Sequence, residues 1–276
     1  MIDSFLSMAV WAALLAAPLS GSLGSLVIAK RIAFIAGSIS HAVLAGMGCC
    51  LWLARTYDLP WLDPIYGAFI SSVLAALLIG WMHLKHKQRE DAVIAAIWST
   101  GMAIGVIFLS ITPGNNVEFM SFLFGNILWI QDRDLWLLLG FDLVLAVWIA
   151  LKYPQILALA FDEEQAKIQG VKVRRLYMTL LSLVAISIVL LIQMIGTVLV
   201  IALLTLPALI AGLYTTRLYT MMGLATLLSG ALSVVGIGVA YLLDFPPGAT
   251  IALVLAATYL TLLPIKMSSG LKARDC

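Results

Sequence analysis

From Phe5 to Ile265 the chain is a succession of long apolar runs, each closed by a charged or turn-rich break. A helix needs about 20 apolar residues to cross a bilayer's hydrocarbon core. In lipid it must also satisfy every backbone N–H and C=O within the segment. The pattern therefore predicts an all-α, polytopic integral membrane protein. Composition closes the other routes: 63% of residues are hydrophobic and 11% charged, against about 25% charged in a soluble domain. The 276 residues hold roughly eight to ten spans, so they read as one transmembrane domain over 1–276. No room remains for a large extramembrane catalytic domain.

The breaks place the runs at 5–28, 32–53, 65–82, 92–111 and 135–151, then a nearly uncharged stretch of two spans at 176–213, then 221–243 and 249–265. These give about nine crossings. Gln193-Met194-Ile195-Gly196 is the expected turn inside the long stretch. Phe119–Ile130 is too short to span and reads as a re-entrant or interfacial helix. The first run lacks a basic leader and is expected to stay as a span. Cys49, Cys50 and Cys276 form no Cys-x-x-Cys and read as small apolar filler.

Basic residues test this threading, because they concentrate in cytoplasmic loops. Lys30, Arg31, Lys85, Lys87, Arg89, Lys152, Lys167, Lys172, Arg174, Arg175, Arg217, Lys266, Lys272 and Arg274 fall on one side, with only Arg55 and Arg133 opposite. The N-terminus is expected outside and the C-terminus in the cytoplasm. Asp3, Asp58, Asp63, Glu118, Asp132, Asp134 and Asp244 then share the outer side. There they either form an acidic mouth that gathers cations or are ordinary solvated loop carboxylates.

Two ionisable side chains sit deep in spans, where they are expensive and point to function. His41 has Gly37 at i−4, Ser38 at i−3 and Ala45 at i+4. A neutral imidazole among small residues can be a transient ligand for a divalent transition metal or a hydrogen-bond partner of a neighbouring helix. Asp142 can be a second ligand, a proton carrier or a packing contact. His83 and His86, in the basic loop, are expected to be solvated at the interface. Pro18, Pro207 and Pro246-Pro247 interrupt apolar segments, as in helices that line transporter cavities. No phosphate-binding loop, nucleophile elbow or His-Glu-x-x-His is present, so the chain does not spend ATP by the usual loop. No enzymatic activity is expected of it.

The polar segment 153–175 contains a short predicted helix within 159–175. Asp162 is its cap, Glu163 and Glu164 lie in its first turn, and Gly170 is its stop. Phe161, Ala166 and Ile168 offer apolar surface. Such a helix either docks into a partner's groove or lies on the inner membrane surface.

From about Arg31 to Leu263 the chain resembles the membrane permease subunit of ABC-type zinc, manganese and iron importers. The likeness rests on ordered stretches: Arg31-Ile32-Ala33-Phe34-Ile35 with Ser40-His41-Ala42; Asp91 with Gly101-Met102-Ala103-Ile104-Gly105; Leu123-Phe124-Gly125-Asn126-Ile127-Leu128; Phe161-Asp162-Glu163-Glu164 with Ala166 and Gly170-Val171; Gly196-Thr197-Val198-Leu199-Val200 through Leu206-Pro207-Ala208; and Pro247-Gly248-Ala249-Thr250-Ile251. The resemblance implies a homodimer in a prokaryotic plasma (inner) membrane, with cytoplasmic ATPase subunits and an extracytoplasmic metal-binding protein. Nucleic acid is not an expected partner, and no cofactor is expected beyond the transported divalent ion, zinc before manganese or iron. It implies that 159–175 is the coupling helix, with Asp162, Glu163, Glu164, Ala166 and Gly170 as coupling residues. It also implies that His41 lies on the metal path; either other spans supply carboxylates, with Asp142 the first candidate, or the metal preference and path differ from those of better-known members. Many members carry aspartate four residues before the histidine, where this chain has Gly37. The rival readings are a proton-coupled secondary transporter using Asp142 and His41, and an intramembrane enzyme, for which no nucleophile–base pair is found at recognisable spacing.

Overall fold

The computed structural model describes residues 2–85, 90–114 and 132–272. The expected short helix at 119–130, together with Glu118 and His86, lies outside the described residues. Among those described there are nine α-helices: α1 (Ile2–Ala29), α2 (Ala33–Thr56), α3 (Pro64–Lys85), α4 (Glu90–Ile111), α5 (Asp132–Phe161), α6 (Glu163–Ile168), α7 (Val173–Tyr214), α8 (Leu218–Leu243) and α9 (Pro247–Lys272). Eight of them are long and apolar enough to cross a membrane. Their outward faces suit lipid: Ile70, Leu74 and Leu78, one turn apart on α3, are 61%, 61% and 50% exposed. An apolar stripe of that kind turned away from the protein fits hydrocarbon and would be a liability in water. The chain is a multi-pass membrane protein.

The apolar runs and the helices agree at most boundaries and differ at α5. That helix runs past the apolar stretch through Lys152 and Pro154 to Phe161, so the loop before α7 is shorter than the polar segment suggested. The 42-residue α7 departs from helical geometry at Gly196, with φ 80° and ψ 161°. Only glycine adopts that region readily, and Gly196 closes the predicted turn sequence. A count of about nine crossings takes the two arms of α7 separately.

Contacts divide the chain into two compact units. One holds Met1–Arg31, Asn126–Val144 and Val198–Cys276. In it α1 packs on α8, and α8 on α9. Small residues set the approach: Ser20 and Ser229 share a hydrogen bond of 2.8 Å, and a Cβ on Gly236 would lie 2.7 Å from Cα of Ile251. The other unit holds Ile32–Gly125 and Leu145–Thr197. There α2 packs against both α3 and α4. The glycines at positions 46 and 67 bring the α2 and α3 backbones into direct contact, so that a Cβ on either would strike the other's carbonyl oxygen. Membrane helices associate largely through such close packing, since lipid supplies no hydrophobic drive between them.

Candidate functional site

His41 sits in the α2–α4 contact. Its ring stacks on Trp98 of α4, with centroids 4.6 Å apart and planes at 21°. One turn back on α2, Gly37 leaves room for the same indole: a Cβ there would lie 3.0 Å from Trp98 Cζ3. The helices are pinned on both sides of this stack. Ser38 Oγ donates to the carbonyl oxygen of Ile94 at 3.0 Å. On the other side, Gly101 sits so close that a Cβ would lie 2.8 Å from Cα of Ala42. His41 Nδ1 is buried and has no hydrogen-bond partner. The arrangement leaves one ring nitrogen unpaired, in a ring held in place by an aromatic face and by backbone contact.

Asp142, on α5, is also buried, and neither carboxylate oxygen has a hydrogen-bond partner. Leu138 and Leu145, one turn away on either side, are buried on the same face. Asp142 belongs to the unit that contains α1, and His41 to the unit that contains α2. Among the described residues, no group of three or more His, Cys, Asp or Glu side chains could hold a metal ion. Cys49 and Cys50 are half-buried free thiols on α2. One imidazole is too small a ligand set for a resident zinc, which takes three or four protein ligands. It suits a passing ion better.

At the end of α3 the sequence expectation fails for a different histidine. His83 is not solvated: its side chain is 16% exposed and its Nε2 lies 3.3 Å from Glu163 Oε1, itself 12% exposed. The ring also leans on Tyr177 of α7, with centroids 4.7 Å apart. The cause is the close approach of α3 to α7 at Gly80, where a Cβ would meet Met178 and Leu181 at 2.8 Å. That approach carries the next turn of α3 inward. Glu163 opens α6, the short helix expected in this region. Asp162 caps it, its Oδ1 accepting from the N–H groups of Glu164 at 2.8 Å and Gln165 at 3.0 Å. Gly170 follows with φ 81°, a left-handed stop that glycine adopts without strain. Phe161 and Ile168 are 73% and 87% exposed, whereas Ala166 is fully buried against its own chain. The apolar surface offered outward is therefore that of Phe161 and Ile168. A cleft beside Gly170 is lined by Trp148, Lys152, Lys172 and Arg175.

Sequence reasoning missed Trp98, Tyr177 and the inward turn of His83. A tryptophan in the interior of a span is unusual, since the residue favours the membrane interfaces, and that placement was the available signal.

Comparisons with known proteins agree with this layout. A family model described as the ABC 3 transport family matches residues 2–266. A "probable metal transport system membrane protein" of Chlamydia pneumoniae is 44% identical over 255 residues, covering 92% of this chain and 87% of that one. A manganese transport system membrane protein of Halalkalibacterium halodurans is 31% identical, covering 93% of this chain and 85% of the relative. Among solved structures, PsaBC from Streptococcus pneumoniae in complex with Fab superposes with a TM-score of 0.80 at 28% identity, over 95% of each chain.

Proposed function

Because the chain belongs to the ABC 3 transport family, we propose that it is the membrane-spanning subunit of an importer that passes divalent transition metal ions into the cytoplasm by alternating access. The observation that carries the reading is the capped helix α6, exposed at Phe161 and Ile168 and tied to α3 through Glu163 and His83. A short, stiff helix with an apolar outward face suits a groove in a partner. Here the partner is a cytoplasmic ATPase whose closure pulls on Asp162 to Gly170. The working assembly is a homodimer with two ATPase subunits inside and a metal-binding protein outside. The C-terminus and the loop carrying α6 face the cytoplasm of a prokaryotic cell.

His41 gives the ion a brief contact through its ring nitrogen. A weak contact serves conduction, because an ion held tightly is not released. Manganese stands in the name of the Halalkalibacterium relative, and zinc and iron suit an imidazole; all three belong to the proposed cargo. Asp142 is proposed as a second contact on the path. The chain performs no covalent chemistry.

The test is reconstitution in liposomes with and without the ATPase partner. ATP-dependent uptake of a divalent metal by the assembled complex is the expected result. Robust uptake by the lone chain rejects the reading and favours a secondary transporter. Deleting Asp162–Ala166 should leave expression intact while ATP hydrolysis proceeds without uptake; normal uptake in that variant rejects the docking role.

A further inference from the structure

We propose that Trp98 is a specificity-determining residue of the His41 contact: it covers the imidazole and fills the space above Gly37, so that a passing cation meets one nitrogen and no oxygen. The inference rests on the metal-passage reading above.

Three observations converge on this residue. The Trp98 and His41 rings are stacked, with centroids 4.6 Å apart, so one face of the imidazole is closed. A Cβ at position 37 would lie 3.0 Å from Cζ3 and 3.3 Å from Cη2 of the same indole. The indole therefore crowds the volume that a side chain there would use and would have to shift by a few tenths of an ångström to admit one. Finally, the Ser38–Ile94 hydrogen bond of 3.0 Å and the close contact of Gly101 with Ala42 hold α2 to α4 on either side of Trp98. The ring cannot withdraw by a small separation of the helices without breaking one of them.

The consequence is chemical. On the His41 face, Ser38 is engaged with Ile94, position 37 is covered, and Ala45 has no ligand atom. Imidazole nitrogen suits zinc and iron, whereas manganese favours carboxylate, carbonyl and water oxygen. With the indole seated, the contact favours the nitrogen-seeking ion. With it removed, water enters beside Gly37 and supplies oxygen ligands, from which manganese gains more.

Competition between zinc and manganese for ATP-driven uptake by the reconstituted complex tests this. Trp98→Ala should lower the zinc-over-manganese uptake ratio by roughly three- to tenfold. Trp98→Phe should lower it less, because a phenyl ring still stacks on His41 but leaves the space over Gly37 open. An assembled Trp98→Ala complex with the wild-type ratio overturns the proposal. Should that variant not assemble, Trp98→Phe decides: a lowered ratio supports the proposal, while a wild-type ratio, or failure to assemble, assigns Trp98 to packing and overturns it. The wild-type complex separates the two readings. If it moves neither ion, metal passage and this inference fall together. If it moves metal while the variants keep its ratio, only this inference falls.

Discussion

The two described histidines make nearly the same aromatic contact in different parts of the membrane-spanning fold. His41 lies 4.6 Å from the Trp98 ring within the α2–α4 contact, and His83 lies 4.7 Å from Tyr177 at the end of α3. Their other neighbours differ. His83 has Glu163 at 3.3 Å and is thereby joined to α6, whereas His41 Nδ1 is buried with no hydrogen-bond partner. In each place the aromatic ring fixes an imidazole's plane, a contact worth about 1 kcal/mol, and the remaining partner sets its use. A carboxylate makes His83 a strut. Its absence leaves Nδ1 of His41 unpaired.

Substitutions can break or sharpen that contrast. The largest effect is expected from Gly101→Leu, which drives a side chain into the α2 backbone beside His41 and should cost about 3 kcal/mol. Thermal unfolding of the purified complex reads it, and Gly223→Leu, on an open face of α8 with nothing within 4 Å, is its quiet counterpart. Next, His41→Ala should lower metal uptake roughly tenfold with assembly unchanged; normal uptake would make this histidine structural and erase the difference between the regions. Asp162→Ala removes the cap of α6 and should weaken that helix by about 1 kcal/mol. Faster amide exchange at Glu164 and Gln165, with more ATP hydrolysed per ion moved, is the expected signature. The smallest effect on transport belongs to Glu163→Gln, which keeps a hydrogen-bond acceptor for His83 and loses only its charge. It should raise the ATP spent per ion slightly and leave the zinc-over-manganese ratio alone. A change in that ratio would mean that the two histidine regions do not act separately.

Much of this was legible in the sequence. The spans follow from run length, and the cap and stop of α6 follow from Asp162 and Gly170, because both depend only on residues within a turn of one another. What the sequence withheld depends on how helices cross. Position 37 reads simply as a small residue on the histidine's face. The structure shows that the space beside it is crowded by an indole from α4, with Trp98 Cζ3 3.0 Å from where a Cβ would lie. A side chain there would need the Trp98 ring to shift by a few tenths of an ångström. The inward turn of His83 likewise follows from the approach of α3 to α7 at Gly80, not from the basic loop around it. Ala166 is buried although the sequence suggests apolar surface there, because a six-residue helix is too short for periodicity to assign a face.

The paired glycines of α2 and α3 leave those helices no plane on which to slip. Sliding α2 along its axis by one turn would set Ala42 or Cys50, the neighbours of Gly46 on the same face, against the α3 backbone, where no side chain fits. A tug at His83 cannot be dissipated as shear between α3 and α2, and only tilting of the pair as one stiff lever remains. His41, the proposed cargo contact, is thus mounted on the same lever as His83, the proposed strut, and the two are kept in step by rigidity alone.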